Sequence, residues 1–244
     1  MSRTTNVLVY GETGRFPLFI NVYVKCLKYW LRLLKMSNER YPRKAYNMLL
    51  YMHECNRNTW ASSVCFVLYK YGFDEAWLNQ GVGNENAFIK LFKERLIFVY
   101  KHDWHSNMER NERFQLFRSF KSEFILSSYL TNHVHVEAYK ALNRFRLGVS
   151  QLKTHRFRFE RVRLQDYNCP FCKNVTESEI HFVLVCPAYM ELRNLYIPQK
   201  FCRYPCLQKL VILLAGENKM IAIRLAKFLN GAFAIRARSN AQNM

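Results

Sequence analysis

Acidic residues are scarce in this chain: 18 Asp and Glu stand against 37 Lys and Arg in 244 residues. Two-metal phosphoryl chemistry needs clustered carboxylates. The single adjacent acidic pair, Asp74-Glu75, falls where a helix N-terminus attracts acids in any case. A phosphate-cradling Gly-x4-Gly-Lys-Ser/Thr loop, a Gly-x-Ser-x-Gly elbow and a His-Glu-x2-His pair are all missing. The sequence therefore predicts no enzyme activity of its own.

Glycine and proline are few, at 8 and 6. That excludes a collagen-like fibre, a flexible linker protein and a disordered tail. Long apolar runs are absent too; stretches such as Val211–Ala215 fall far short of the ~18 residues a membrane span needs. The opening Met-Ser-Arg-Thr-Thr-Asn has no apolar core ahead of a small-residue cleavage site. The expectation is an intracellular chain, nuclear or cytoplasmic and without a membrane partner. Its eight cysteines would then be thiols or metal ligands rather than bridges.

Apolar and cationic residues are plentiful instead. Half of the chain is hydrophobic and 16% aromatic, with 19 Phe, 15 Tyr and 4 Trp, enough for one or two cores. The formal net charge is +19 and the sequence pI about 9.7. Cations neutralise phosphates and rings stack on bases, so this balance points to a nucleic acid, RNA or DNA, as partner.

Helical spacing dominates. From Pro17 to Lys35, Ile20, Val24, Leu27, Leu31 and Leu34 recur at threes and fours, with Lys25, Lys28, Arg32 and Lys35 as a parallel basic stripe. Further helices are predicted over 42–54, 59–71 (stopped by Gly72), 87–105, 136–147 (stopped by Gly148), 207–215 (stopped by Gly216) and 217–238. Strand signals are weak: Asn6–Tyr10 is the one β-branched run near the start, and Arg156–Leu164 alternates basic with apolar residues. The predicted fold is mainly α, a multi-helix body with a small Cys3His zinc knuckle near the C-terminal third. Three regions are expected: a helical one over 1–148, a basic arm and knuckle over 149–197, and C-terminal helices over 198–244.

The knuckle rests on Cys169-Pro-Phe-Cys172, then His181, then Cys186. Cys-x2-Cys lets two thiolates reach one ion from a single turn. A third thiolate and an imidazole close a tetrahedral structural Zn²⁺ site with no position left for a reactive water. Thr176-Glu-Ser-Glu179 reads as a capping box that would start a helix carrying His181 inward, and Pro187 would open the next one. Upstream, Arg144, Arg146, Lys153, Arg156, Arg158, Arg161 and Arg163 are opposed only by Glu160 and interleaved with Phe145, Phe157 and Phe159. This arm is the candidate grip on a phosphate backbone. His102/His105 and His133/His135 are weaker metal candidates that lack a nearby Cys. The rival reading is a zinc-stabilised protein-interaction module whose charge serves solubility.

Val9-Tyr-Gly-Glu-Thr-Gly-Arg-Phe-Pro-Leu18, Lys28-Tyr-Trp30, Phe145-Arg-Leu147 and His181-Phe-Val-Leu-Val-Cys186-Pro-Ala-Tyr189 together resemble the region after the polymerase core of non-LTR (LINE-type) retrotransposon reverse transcriptases. The similarity spans about Val7 to Phe233, and the knuckle is its most specific part. No Tyr/Phe-x-Asp-Asp polymerase motif and no endonuclease motif accompanies it. At Thr154-His-Arg-Phe-Arg158 a cation replaces the acid that relatives carry. The resemblance implies a C-terminal fragment or domesticated remnant that positions RNA template or DNA target during target-primed reverse transcription.

Overall fold

The structure, a computed structural model, describes residues 5–131, 136–156 and 167–242, the side chains of 156 and 240–242 excepted. The fold is mainly α. Among the described residues, extended pairing is limited to two isolated antiparallel bridges, Thr13–Leu126 and Asn168–Thr176. No helix there is long and apolar enough to cross a membrane. The chain forms two compact units, one made of residues 16–105 and the other of 1–15 with 106–244.

In the unit of residues 16–105, α2 (Leu18–Leu34) buries Ile20, Leu27, Trp30 and Leu31 on the face the spacing predicts. α3 (Tyr41–Glu54) carries Pro42 in its first turn, where the missing N–H costs nothing. α4 (Trp60–Lys70) is capped reciprocally: Ser62 N donates to Thr59 Oγ1 and Thr59 N donates to Ser62 Oγ. The short α5 (Asp74–Leu78) leads to α6 (Glu85–Arg110). Asn84 caps α6 by accepting from Ala87 N at 3.0 Å, so it starts slightly before the expected 87. A polar thread runs through this core. Trp30 Nε1 donates to Tyr46 Oη at 2.9 Å, Tyr46 donates to Gln80 Oε1 at 2.5 Å, and Gln80 Nε2 donates to the Trp77 carbonyl. Each buried polar tip is thereby satisfied among stacked rings.

The other unit begins with a correction. Asn6–Tyr10 is no strand but part of α1 (Asn6–Thr13). Leu8 and Glu12, one turn apart, are both buried, and that tertiary anchoring outweighs the β-branched preference. Glu12 accepts from Arg146 Nε at 2.8 Å and from its Nη2 at 3.2 Å, a link across 134 residues of sequence. Gly14 ends α1 at φ +61°. A Cβ there would lie 2.5 Å from Leu126 N and 2.7 Å from Ile125 C, both backbone atoms. Gly14→Ala adds a clash with backbone to a left-handed conformation that costs a non-glycine residue ~1 kcal/mol by itself. It is expected to lower this unit's stability by ~2 kcal/mol or more in thermal melts.

α7 (Gln115–Phe120), α8 (Val136–Arg146), α9 (Lys153–Arg156), α10 (Met190–Tyr196), α11 (Gln199–Cys202), α12 (Leu207–Ala215) and α13 (Lys219–Gln242) complete the unit. α13 packs along α8 and α10, burying Leu225, Phe228, Leu229 and Ala232. Phe182 is the hinge pin of the core: its ring lies 6.2 Å from Phe145, 4.8 Å from Tyr189 and 6.4 Å from Phe228. Those rings come from all three regions expected from sequence, so the boundaries at 148 and 197 do not separate cores. The knuckle is too small to bury its own apolar side chains and shares a core with α8 and α13.

Candidate metal centre

The first pair of cysteines sits on a pinched loop. Asn168 and Thr176 bridge its base, Cys169 N donates to Val175 O at 2.7 Å, and Lys173 N donates back to Cys169 O at 3.0 Å. Lys173 takes a left-handed φ of +52°, which turns the chain sharply enough to set Cys169 and Cys172 side by side.

The second pair is set by an unusual helix start. Thr176 is held in the bridge, so the expected cap at that residue does not form. Ser178 caps instead, its Oγ accepting from His181 N at 3.1 Å. His181–Val185 then forms a π turn in which Cys186 N donates to His181 O at 2.7 Å. Five residues of an ordinary α-helix advance ~500° and would point His181 and Cys186 apart. The wider turn joins residue i to i+5 and brings both donors to one side.

The four ligand atoms of Cys169, Cys172, His181 and Cys186 all lie within 4.8 Å of one another. Cys186 Sγ is 3.8 Å from both Cys169 Sγ and Cys172 Sγ. His181 is buried and its Nε2 has no hydrogen-bond partner. An imidazole nitrogen left unpaired inside a core is costly unless a metal or donor meets it. Donation from the Cys186 thiol and from backbone N–H groups holds the Cys169 thiol down to about 4 despite burial. The hydrogen bond to Cys169 and burial push Cys186 up, and burial pushes Cys172 up. Cysteine binds a metal as the thiolate, so a cation entering here would displace the remaining thiol protons to solvent. Donor number, softness and spacing all suit a single metal ion. Among the described residues this is the one such group.

Residues around the centre hold it in place. Arg193, buried, donates from Nε to Val183 O at 3.0 Å and from Nη2 to Cys186 O at 2.5 Å, closing the carbonyls that the π turn leaves open. Glu177 is fully buried and receives Arg236 of α13 in a two-pronged pair, Nε–Oε1 2.6 Å and Nη2–Oε2 2.8 Å. It also accepts from Lys153 N at 2.7 Å, while its carbonyl accepts from Thr154 Oγ1. Burial alone would drag the Arg236 pKa down, yet the hydrogen bonds and charge of Glu177 hold it above its ordinary value. Sequence reasoning missed the roles of Glu177, Arg193 and Arg236. The signal available is Glu177 and Glu179 beside the cysteines, whose spacing from Thr176 also fits a helix cap.

The basic arm is partly redistributed. Arg144 is exposed and Lys153 half-buried. Arg146 is corrected from a phosphate contact to a core residue. It is 2% exposed, paired with Glu12, and lies 4.4 Å from the Phe120 ring and 4.5 Å from that of Tyr129. A guanidinium so enclosed cannot reach a ligand. The Arg156 side chain, Arg158, Arg161, Arg163 and the alternating 157–164 stretch lie outside the described residues. His155 is buried, with Nδ1 2.7 Å from Ser150 Oγ and Nε2 3.0 Å from Glu179 Oε1. Of the weaker metal candidates, His102 is exposed beside Asp103 and His105 stacks edge-on against Trp104. His133 and His135 lie outside the described residues. No family model, no curated protein and no solved structure matches the chain.

Proposed function

We propose that this chain is a zinc-folded module that binds nucleic acid, of the kind that follows the polymerase core in non-LTR retrotransposon reverse transcriptases. The observation that carries the reading is the sulfur spacing. Ligands at ~2.3 Å from a tetrahedral zinc stand ~3.8 Å apart, and Cys186 Sγ lies 3.8 Å from each of its two neighbours. Cys169, Cys172, His181 and Cys186 would hold the ion, which supplies a cross-link between the pinched loop and the π turn. Four protein ligands leave no open position, so the site is structural and the module positions substrate rather than transforming it.

The excess of cations supports a polyanionic partner. Exposed Arg144, with Arg156, Arg158, Arg161 and Arg163 of the same basic stretch of sequence, would meet the phosphates. The test is metal content by mass spectrometry together with fluorescence-anisotropy titrations of the full chain. A structured RNA and a duplex DNA are each titrated at two salt concentrations, beside Cys169→Ser/Cys172→Ser. One zinc per chain, with binding that weakens as salt rises and falls in the variant, is the expected result. Stoichiometric zinc with no binding to either polymer would leave a protein-docking module. Absence of bound zinc in chain purified without chelator would overturn the metal assignment.

A further inference from the structure

The basic stripe of α2 belongs to neither the metal centre nor the arm, and its surroundings give it a use. Lys25, Tyr29 and Arg32 stand at i, i+4 and i+7 and share one helix face, with Lys28 one row over. All four are exposed, Tyr29 to 49%. Lys35, the last residue of the stripe, is engaged by Glu85 at 3.0 Å. Lys25, Lys28 and Arg32 enter no ion pair among the described residues.

Beside α2 runs α4. Tyr29 packs edge-on against Trp60 at 5.8 Å and Tyr23 lies tilted against Tyr71 at 6.4 Å, so the two helices are antiparallel. The outer side of α4 presents Ser63, Phe66 and Lys70. Phe66 is 63% exposed, with Lys70 Nζ 5.9 Å from its ring. Neither helix contains an Asp or a Glu. A merely solvated face mixes signs at i,i+4 and gains from the pairing; this face repeats one sign and adds exposed rings.

We propose that the α2–α4 face is a second nucleic-acid contact, for an unpaired strand. Lys25, Lys28, Arg32 and Lys70 would follow the backbone, and Tyr29 and Phe66 would offer ring faces to splayed bases. Duplexes hide base faces in the stack, whereas a single strand can lay them on an aromatic side chain. This deepens the nucleic-acid reading and rests on it, but it does not depend on the metal: the face lies within residues 16–105, apart from the four ligands.

The probe is a fluorescein-labelled oligodeoxythymidine, titrated against the full zinc-loaded chain over a salt series, with a duplex of the same length and phosphatidylserine vesicles as comparisons. Lys25→Gln/Lys28→Gln/Arg32→Gln changes exposed groups only. It is expected to bind the single strand at least tenfold more weakly, with a salt slope shallower by ~2. Tyr29→Leu is expected to lose about tenfold on the single strand and little on the duplex, and Tyr29→Phe to keep wild-type affinity. A circular-dichroism melt of each variant shows that the helices persist.

Oligonucleotide binding by the wild type that the triple variant leaves unchanged would overturn this contact while sparing the module reading. No binding to any nucleic acid would overturn both. Equal losses on duplex and single strand in Tyr29→Leu would refute the stacking role. Binding confined to the vesicles would make the face a membrane-surface contact instead.

Discussion

On the proposed zinc site, Cys186→Ser is expected to abolish metal binding and loosen one unit of this protein while leaving the other intact. Cys186 is fully buried and its sulfur is the common neighbour of Cys169 and Cys172. A serine oxygen there is a poorer zinc ligand and too short to hold the same spacing. In small zinc-folded peptides the binding free energy, ~10 kcal/mol or more, is folding free energy. Here α8, α12 and α13 contribute a core of their own, so a smaller loss, ~5 kcal/mol, is expected, or ~10 °C or more in the melting of a unit this size.

The readout is unusually clean. All four tryptophans, Trp30, Trp60, Trp77 and Trp104, lie within residues 16–105, outside the unit that holds the metal ligands. Chelation, or Cys186→Ser, should therefore lower the helical circular-dichroism melt and leave the tryptophan emission melt in place. Acidification should act like chelation, because protons compete with the ion for the three thiolates and the imidazole. Loss of both signals together would show that the units do not unfold separately. A chain that holds zinc yet melts identically without it would remove the metal from any structural role.

The parts of this architecture that were legible in the sequence are those set by local chemistry. The three-and-four spacing of Ile20, Leu27 and Leu31 and the stops at Gly72 and Gly216 each act within a turn or two of helix. The four metal donors are legible for the same reason, lying in eighteen consecutive residues. Arg146 was misread because its partner Glu12 is 134 residues away, and nothing local distinguishes a buried arginine from a solvent-facing one. Thr176-Glu-Ser-Glu179 fits a capping box by pattern. The backbone bridge from Asn168 takes Thr176 first, and Arg236 and His155 take the two acids. Asn6–Tyr10 has strand formers by composition but helical burial by context. In each case a long-range contact outweighed a local preference of ~1 kcal/mol or less.

Those long-range contacts make Arg236→Met the second substitution expected to have a large effect. The methionine fills much of the arginine's volume but leaves the Glu177 carboxylate, with no exposed surface, without a cation. Breaking one partner of a buried pair costs 3–5 kcal/mol, mostly the stranded charge. Glu177→Gln/Arg236→Met should recover a good part of that loss, since a neutral amide can still accept from Lys153 N. The double-mutant cycle read by chemical denaturation separates the stranded charge from lost packing; additive effects would mean the pair is not coupled. Metal affinity provides the second readout. Glu177 follows the bridge residue Thr176 and lies four residues before His181. Loosening it should weaken competitive zinc binding by about tenfold to a hundredfold, the range for residues that orient metal ligands. If stability falls while zinc affinity stays fixed, the pair only fastens α13 to the knuckle and the metal loop keeps its shape unaided.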